Sequence, residues 1–148
     1  MIRQAGPGDV RFLRDMLRHA YHWRLNEDPD LPVYRYVQNW GREGDAGVIA
    51  FDPRGPFGAA WYRVFTADEP GFGFVDEETP ELTIAVVPSR RGGGVGGELL
   101  TALLQHARDD GHRAISLSAE KDSTPFYERY GFDPVKDTGT TVTMRASL

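Results

Sequence analysis

The chain has 148 residues, of which 40% are hydrophobic and 26% are charged, as is ordinary for a globular domain that folds in water. Its 22 acidic and 17 basic residues give a net charge of −5, which argues against broad nucleic-acid binding because such binding needs a basic surface. The absence of cysteine excludes disulfides, thiolate metal sites and a cysteine nucleophile.

The length predicts a single domain over residues 1–148. No apolar run approaches the roughly 20 residues of a membrane span, and the first residues contain no apolar segment of the kind found in secretory signals. We therefore expect a cytoplasmic protein with no membrane partner. The four histidines lack the spacing of metal ligands, so no metal is expected.

The first part of the chain is predicted to contain one strand and two helices. Residues 2–5 indicate the strand, and Pro7 suits the first turn of the helix that follows. Apolar residues at helical spacing predict that helix up to about residue 21, and residues 32–40 predict a second one. The polar and aromatic segment between them is expected to be a connection.

A hairpin and an acidic loop are predicted next. Residues 46–51 and 57–66 alternate in the manner of two strands, and residues 52–55 contain the proline and glycine of a turn. Residues 67–80 carry five acidic side chains and no periodic pattern. We expect this segment to be a solvated loop.

The strongest functional signal lies in residues 81–104, ELTIAVVPSRRGGGVGGELLTALL. Residues 82–87 predict a buried strand ended by Pro88, a glycine-rich turn follows, and apolar residues at helical spacing then continue to about residue 110. Glycines let the backbone approach an anion, and the free amides and dipole of a helix N-terminus favour negative charge. The stretch therefore predicts a phosphate-binding turn, assisted by Arg90 and Arg91.

The spacing of the glycines disfavours the commoner nucleotide loops. A P-loop would place Gly-Lys-Ser or Gly-Lys-Thr at the start of the helix, where this chain has Gly96, Gly97 and Glu98. A dinucleotide fingerprint can be fitted to Gly92, Gly94 and Gly97, but it requires an acidic residue at a strand end about 20 residues further on, and Glu120 lies further off.

The last elements are a strand over residues 114–119, a short helix over residues 123–130 ended by Gly131, and a strand over residues 140–144. The first of these strands is expected to run parallel to residues 82–87 after a right-handed crossover.

Two motifs resemble the GNAT N-acetyltransferase superfamily. Residues 87–96, VPSRRGGGVG, are similar to its acyl-CoA loop, whose core is Arg/Gln-x-x-Gly-x-Gly/Ala; Arg91, Gly94 and Gly96 fill those positions. Residues 125–132, PFYERYGF, are similar to its later Phe-Tyr-x-x-x-Gly-Phe motif. The resemblance covers nearly the whole chain and implies a GNAT acyl-CoA N-acyltransferase fold, an α/β architecture with a central mixed sheet and helices on both faces.

The resemblance also implies acetyl-CoA as co-substrate. The turn would bind the pyrophosphate, strand residues 85–87 would pair with pantetheine, and the amide near Val86 would polarise the thioester carbonyl. Arg90 is open to two interpretations, a ligand of the 3′-phosphate or a free surface arginine. The expected cofactor-binding residues are Ala85, Val86, Val87, Arg91, Gly92, Gly93, Gly94, Val95, Gly96, Gly97, Ser123 and Tyr127.

Two residues are expected to transfer protons. Glu81, at the start of the central strand, is the candidate base, acting through water, with Glu120 as the alternative. Tyr127 matches the family tyrosine assigned as the acid that protonates the CoA thiolate. The chain departs from the family at Glu120, where asparagine is common, and at Ser123, where alanine is usual.

The expected reaction is direct acetyl transfer to a primary amine in a ternary complex. The acceptor is a small molecule or a peptide, and the resemblance implies that Trp23, Glu27 or Asp28 contacts it. No nucleic-acid partner is expected, and a homodimer remains open. The alternative functions are a non-catalytic acyl-CoA or metabolite sensor on the same fold and, less favoured, a nucleotide-binding protein of another fold.

Overall fold

The computed structural model describes residues 1–27 and 33–148, and for residues 22–27 it describes the backbone alone. Its strands are β1 Ile2–Gln4, β2 Ala46–Asp52, β3 Gly55–Arg63, β4 Glu81–Val86, β5 Ala114–Glu120, β6 Phe132–Asp137 and β7 Thr141–Ser147. Its helices are α1 Val10–Glu27, α2 Val95–Asp109 and α3 Thr124–Glu128. The strands form a mixed sheet in the order β1-β2-β3-β4-β5-β7-β6, which confirms the predicted fold class.

The chain divides into two compact units. One consists of residues 1–62 and 83–103, and the other of residues 63–82 and 104–148. Within the described residues, no helix is both long enough and apolar enough to span a membrane.

The first unit contains the predicted hairpin. β1 pairs antiparallel with β2, and β2 pairs antiparallel with β3. The apolar residues at helical spacing that predicted α1 form its buried face, since Leu13 and Leu17 are fully buried. At Tyr21 the backbone of α1 leaves the helical region, with φ −126° and ψ 23°, so the helix is kinked there.

The predicted second helix is wrong within the described residues. Residues 33–36 form one 3₁₀ turn, and Asn39 then adopts a positive φ of 56°. The segment is rich in β-branched and aromatic residues, which have low helix propensity. Tertiary contacts hold it instead: Tyr36 and Val37 are buried, and the Trp61 indole donates a hydrogen bond of 2.9 Å to the Tyr36 carbonyl.

The second unit is built around β5. Ser116 of β5 is in parallel register with Glu81 of β4, and along its other edge β5 pairs antiparallel with β7 over its whole length. Residues 67–80 contain no strand or helix, as predicted, but the segment is not wholly solvated. Gly73 is buried, and its carbonyl accepts a hydrogen bond of 2.8 Å from the Ser116 hydroxyl.

β6 is a strand that the sequence analysis missed. It pairs antiparallel with β7 and forms the edge of the sheet. Only Phe132 of its residues is buried, and Pro134 lies inside it. Its exposed polar residues and internal proline lack the apolar and polar alternation that predicts a strand. They are compatible with an edge strand, because an edge strand needs hydrogen bonds to a neighbouring strand on one side only.

Candidate functional site

The glycine-rich turn connects β4 to α2 as predicted. A 3₁₀ turn over residues 88–90 leads into it, and α2 begins at Val95. Gly92 and Gly94 have φ angles of 86° and 83°, in the left-handed region that glycine tolerates best. A Cβ at either position would meet no atom within 4 Å, so glycine is needed here for backbone conformation.

The start of α2 can bind an anion. The first hydrogen bond of the helix runs from the Glu98 amide to the Gly94 carbonyl at 3.1 Å. The amides of the preceding residues, Val95 to Gly97, therefore have no acceptor in the helix, as is general for a helix N-terminus. Residues 91–94 are exposed beside these amides, so the turn is open to a ligand.

Arg91 contacts the strand that precedes the turn. Its Nε atom donates a hydrogen bond of 3.0 Å to the Val86 carbonyl. A guanidinium carries five N–H donors, so this bond leaves the four donors on the two Nη atoms for a ligand. The side chain is thus fixed at Nε and retains its capacity to bind phosphate.

Arg90 is held from the β2–β3 hairpin and is not a free surface arginine. Its guanidinium forms a hydrogen-bonded ion pair with Asp52 and lies 4.4 Å from the centre of the Phe57 ring. The hydrogen bond from Arg90 is the main cause that lowers the pKa of Asp52, and the Arg54 amide adds to it. The sequence analysis did not identify Asp52 or Phe57, which lie more than 30 residues before the turn.

Strand β3 also packs closely on the elements that flank the turn. A Cβ at Gly58 would lie 3.1 Å from Leu99 of α2 and 3.4 Å from the Ala85 carbonyl of β4. The Val87 amide donates a hydrogen bond of 2.9 Å to the Phe57 carbonyl. Of the strand backbone groups expected to meet pantetheine, the Val87 amide and the Val86 carbonyl are therefore already engaged.

Glu81 is buried at the start of β4, with 1% of its surface exposed. Thr83 is buried as well, and no described residue hydrogen-bonds its hydroxyl oxygen. An unsatisfied buried hydroxyl is costly, so the Thr83 oxygen is a position where a ligand or water would be favoured.

Tyr127 lies on α3 among aromatic rings. Its ring centre is 5.1 Å from that of Phe126 and 6.0 Å from that of Phe132. The side chain is half-buried. Burial, together with the negative charge of Glu120, raises the pKa of Tyr127 to about 12, so its phenol is protonated at neutral pH.

Ser123 is half-buried at the N-terminus of α3, where its side chain makes no capping hydrogen bond. The predicted site residues divide between the units: residues 85–97 belong to the first, and Glu81, Glu120, Ser123 and Tyr127 belong to the second. Asp28, and the side chains of Trp23 and Glu27, lie outside the described residues.

No group of three or more histidine, aspartate or glutamate side chains within the described parts of the chain could hold a metal ion. The first unit contains an exposed glycine-rich helix N-terminus with Arg91 beside it. The second unit contains the buried carboxyl group of Glu81 and the protonated phenol of Tyr127. These groups suit a phosphate-bearing ligand and proton transfer.

The chain belongs to a family of acyltransferases. The sequence model described as "Acetyltransferase (GNAT) family" matches residues 10–132, which confirms the resemblance seen in the two motifs. A curated relative, the uncharacterized N-acetyltransferase YjcF of Bacillus subtilis, is 31% identical over 121 residues, which cover 80% of this chain and 79% of the relative.

Solved structures share the fold. A ribosomal-protein-alanine N-acetyltransferase from Brucella melitensis has a TM-score of 0.71 and 23% identity, with 100% of this chain and 99% of that chain covered. YncA from Salmonella typhimurium, a putative acetyltransferase solved with its cofactor acetyl-CoA, has a TM-score of 0.72 and 20% identity, with 100% and 93% covered. The PaiA N-acetyltransferase from Thermoplasma acidophilum, in complex with coenzyme A, has a TM-score of 0.67 and 14% identity, with 100% of this chain and 98% of that chain covered.

Proposed function

We propose that residues 1–148 act as a single-domain, cytoplasmic N-acetyltransferase that transfers the acetyl group of acetyl-CoA directly to a primary amine. The observation that supports this most strongly is the exposed turn between β4 and α2, with two glycines at positive φ and Arg91 anchored beside it. The family membership and the coenzyme bound in two structures of the same fold support the choice of donor.

The turn binds the pyrophosphate of acetyl-CoA. The amides at the start of α2 donate to phosphate oxygens, and the helix dipole adds attraction for their negative charge. Arg91 supplies charge-assisted hydrogen bonds from its Nη atoms while Nε remains on the Val86 carbonyl. In β4, which precedes the turn, the backbone of Ala85 and Val86 binds the pantetheine arm. The Val86 amide polarises the thioester carbonyl.

The chemical step forms a C–N bond and breaks a C–S bond. The neutral amine attacks the thioester carbon, and its proton passes to Glu81 through water. Because Glu81 is 1% exposed, this proton has to travel along ordered water and not through open solvent. Glu120, which is exposed at the end of β5, is the alternative base.

Tyr127 acts on the departing thiolate. With its pKa raised to about 12, the phenol stays protonated across the neutral range and donates a hydrogen bond as negative charge develops on sulfur. Its proton is transferred as the C–S bond breaks, and solvent returns a proton to the tyrosinate. Ser123, with no capping bond of its own, contributes a polar contact to the coenzyme.

One observation favours the alternative of a non-catalytic acyl-CoA sensor. The candidate base Glu81 is buried, and a carboxyl group that the amine and solvent reach poorly is a weak choice for proton removal. A sensor would use the same turn to bind the coenzyme and would not need this proton path.

Calorimetric titration with acetyl-CoA, CoA and ATP tests the donor site. We expect micromolar binding of both CoA ligands and no heat with ATP. A screen of small-molecule and peptide amines with thiol-release detection then tests turnover, and size-exclusion chromatography tests for a homodimer. Absence of binding by acetyl-CoA would overturn the proposal, and binding without turnover on every amine would favour the sensor.

A further inference from the structure

A second concave site lies in the first unit, outside the residues assigned to acyl-CoA. It has a volume of about 610 Å³, within the range of small-molecule pockets. It is formed by the outer face of α1 and the segment that follows residue 32. The described residues that line it are Arg14, Arg18, Tyr34, Arg35, Val37 and Gln38.

The described part of the lining is cationic, although the chain as a whole is acidic. Three of the six described lining residues are arginines and none is acidic, in a chain of net charge −5. Arg14 and Arg18 are four residues apart on α1, so they lie on the same face of the helix, where like charges are mildly destabilising. A bound anion would remove that repulsion.

Among the described residues, no strong partner holds the guanidinium groups of Arg14 and Arg18. Arg14 makes no hydrogen bond or ion pair within the described residues. Arg18 approaches Asp15 only to 4.0 Å, and both side chains are more than half exposed, so this pair contributes little. Planar guanidinium groups bind carboxylates and phosphates through paired hydrogen bonds.

The pocket also has apolar and aromatic walls. Val37 is 1% exposed, whereas Tyr34 is 50% exposed and is one of three large hydrophobic residues exposed in the described chain. An exposed aromatic ring beside arginines can stack on a flat ligand group while the arginines bind an anionic one.

We propose that this pocket, here called the Arg14–Arg18 pocket, binds a small molecule that joins a phosphate or carboxylate group to a flat apolar ring. Arg14 and Arg18 bind the anionic group, and Tyr34 packs on the ring. The proposal does not depend on acetyl transfer, and the pocket shares no residue with the turn at residues 91–97.

The test is titration of the full chain with phenyl phosphate, benzoate, inorganic phosphate and uncharged benzyl alcohol, in the presence of saturating CoA. Three proteins are compared: the wild type, the double variant Arg14→Gln/Arg18→Gln, and Arg11→Gln. Arg11 is an exposed arginine on the same helix that does not line the pocket, so its variant is a control for the loss of one positive charge from α1, where the double variant removes two.

We expect saturable binding of phenyl phosphate or benzoate, at least tenfold weaker in the double variant and unchanged in Arg11→Gln. Whether the phosphate or the carboxylate binds more tightly identifies the anionic group. The proposal is overturned if neither ring compound binds, if inorganic phosphate or benzyl alcohol binds equally well, or if the Arg11 variant loses as much affinity as the double variant.

Discussion

The Asp52 carboxylate, at the end of β2, forms an ion pair with the guanidinium of Arg90, the residue directly before Arg91 and the glycine-rich turn. The Phe57 ring packs on the same guanidinium. The β2–β3 hairpin, which is distant in sequence, therefore fixes the side chain of Arg90 at the start of the turn. The pair also withdraws Arg90 from the role of a freely available phosphate ligand.

Asp52→Asn is expected to weaken CoA binding about threefold to tenfold, because the turn loses its anchor while Arg91 remains. Calorimetry at pH 7 measures the effect, and Asp68→Asn, at an exposed position in the acidic loop, is the control. The pKa of Asp52 is lowered by Arg90, so the anchoring is present above the ordinary value of 3.8 and is lost as pH falls through the lowered pKa. Unchanged affinity in Asp52→Asn would show that the pair does not position the turn.

Gly94→Glu should abolish CoA binding, because it introduces bulk and negative charge at the turn that we propose binds the phosphates. Gly94→Ala tests the effect of backbone conformation without adding charge. A Cβ at this position meets no atom within 4 Å, but the φ of 83° is unfavourable for alanine, at a cost of about 1 kcal/mol. Gly111→Ala is a matched control, since its φ is 86° and its Cβ position is equally open. If Gly94→Glu still binds CoA, the turn has been assigned the wrong ligand.

Tyr127→Phe should lower kcat about 100-fold, in the range typical of a lost general acid, with little change in the Kd of acetyl-CoA. Because its pKa is raised to about 12, the phenol stays protonated up to pH 9, so the wild-type rate should show no loss from Tyr127 ionisation over that range. Tyr130→Phe, in the turn that follows α3, is the control, because the Tyr130 ring also packs on Phe126. A kcat equal to that of the wild type would remove Tyr127 from the mechanism.

Gly73→Ala should destabilise the protein by about 2 kcal/mol or more, because a Cβ there would lie 2.5 Å from the Leu117 backbone of β5. Thermal unfolding measures the change. Gly8→Ala is the comparison, since that position is open and its φ is not positive, and its melting temperature should match the wild type. An equal melting temperature for Gly73→Ala would mean that the loop does not pack on β5 as described.

The elements with a strong local pattern were predicted from the sequence. The strand–turn–helix at residues 81–109 was predicted because a β-branched run, a proline and consecutive glycines each restrict the backbone locally. The paired motifs also sufficed for the family.

The tertiary structure determined the features that the local sequence pattern did not predict. Residues 33–36 became a single turn because burial of Tyr36 and its bond from Trp61 outweighed a weak helical pattern, and β6 became a strand because β7 offered a free edge. The burial of Glu81 and the Asp52–Arg90 pair depend on residues distant in sequence, and the pKa of Tyr127 is raised by its burial in the folded chain and by Glu120, seven residues before it. Charge, solvation and pairing arise where distant segments meet, so the sequence determined the family and the turn, while the tertiary structure determined the environment of each reactive group.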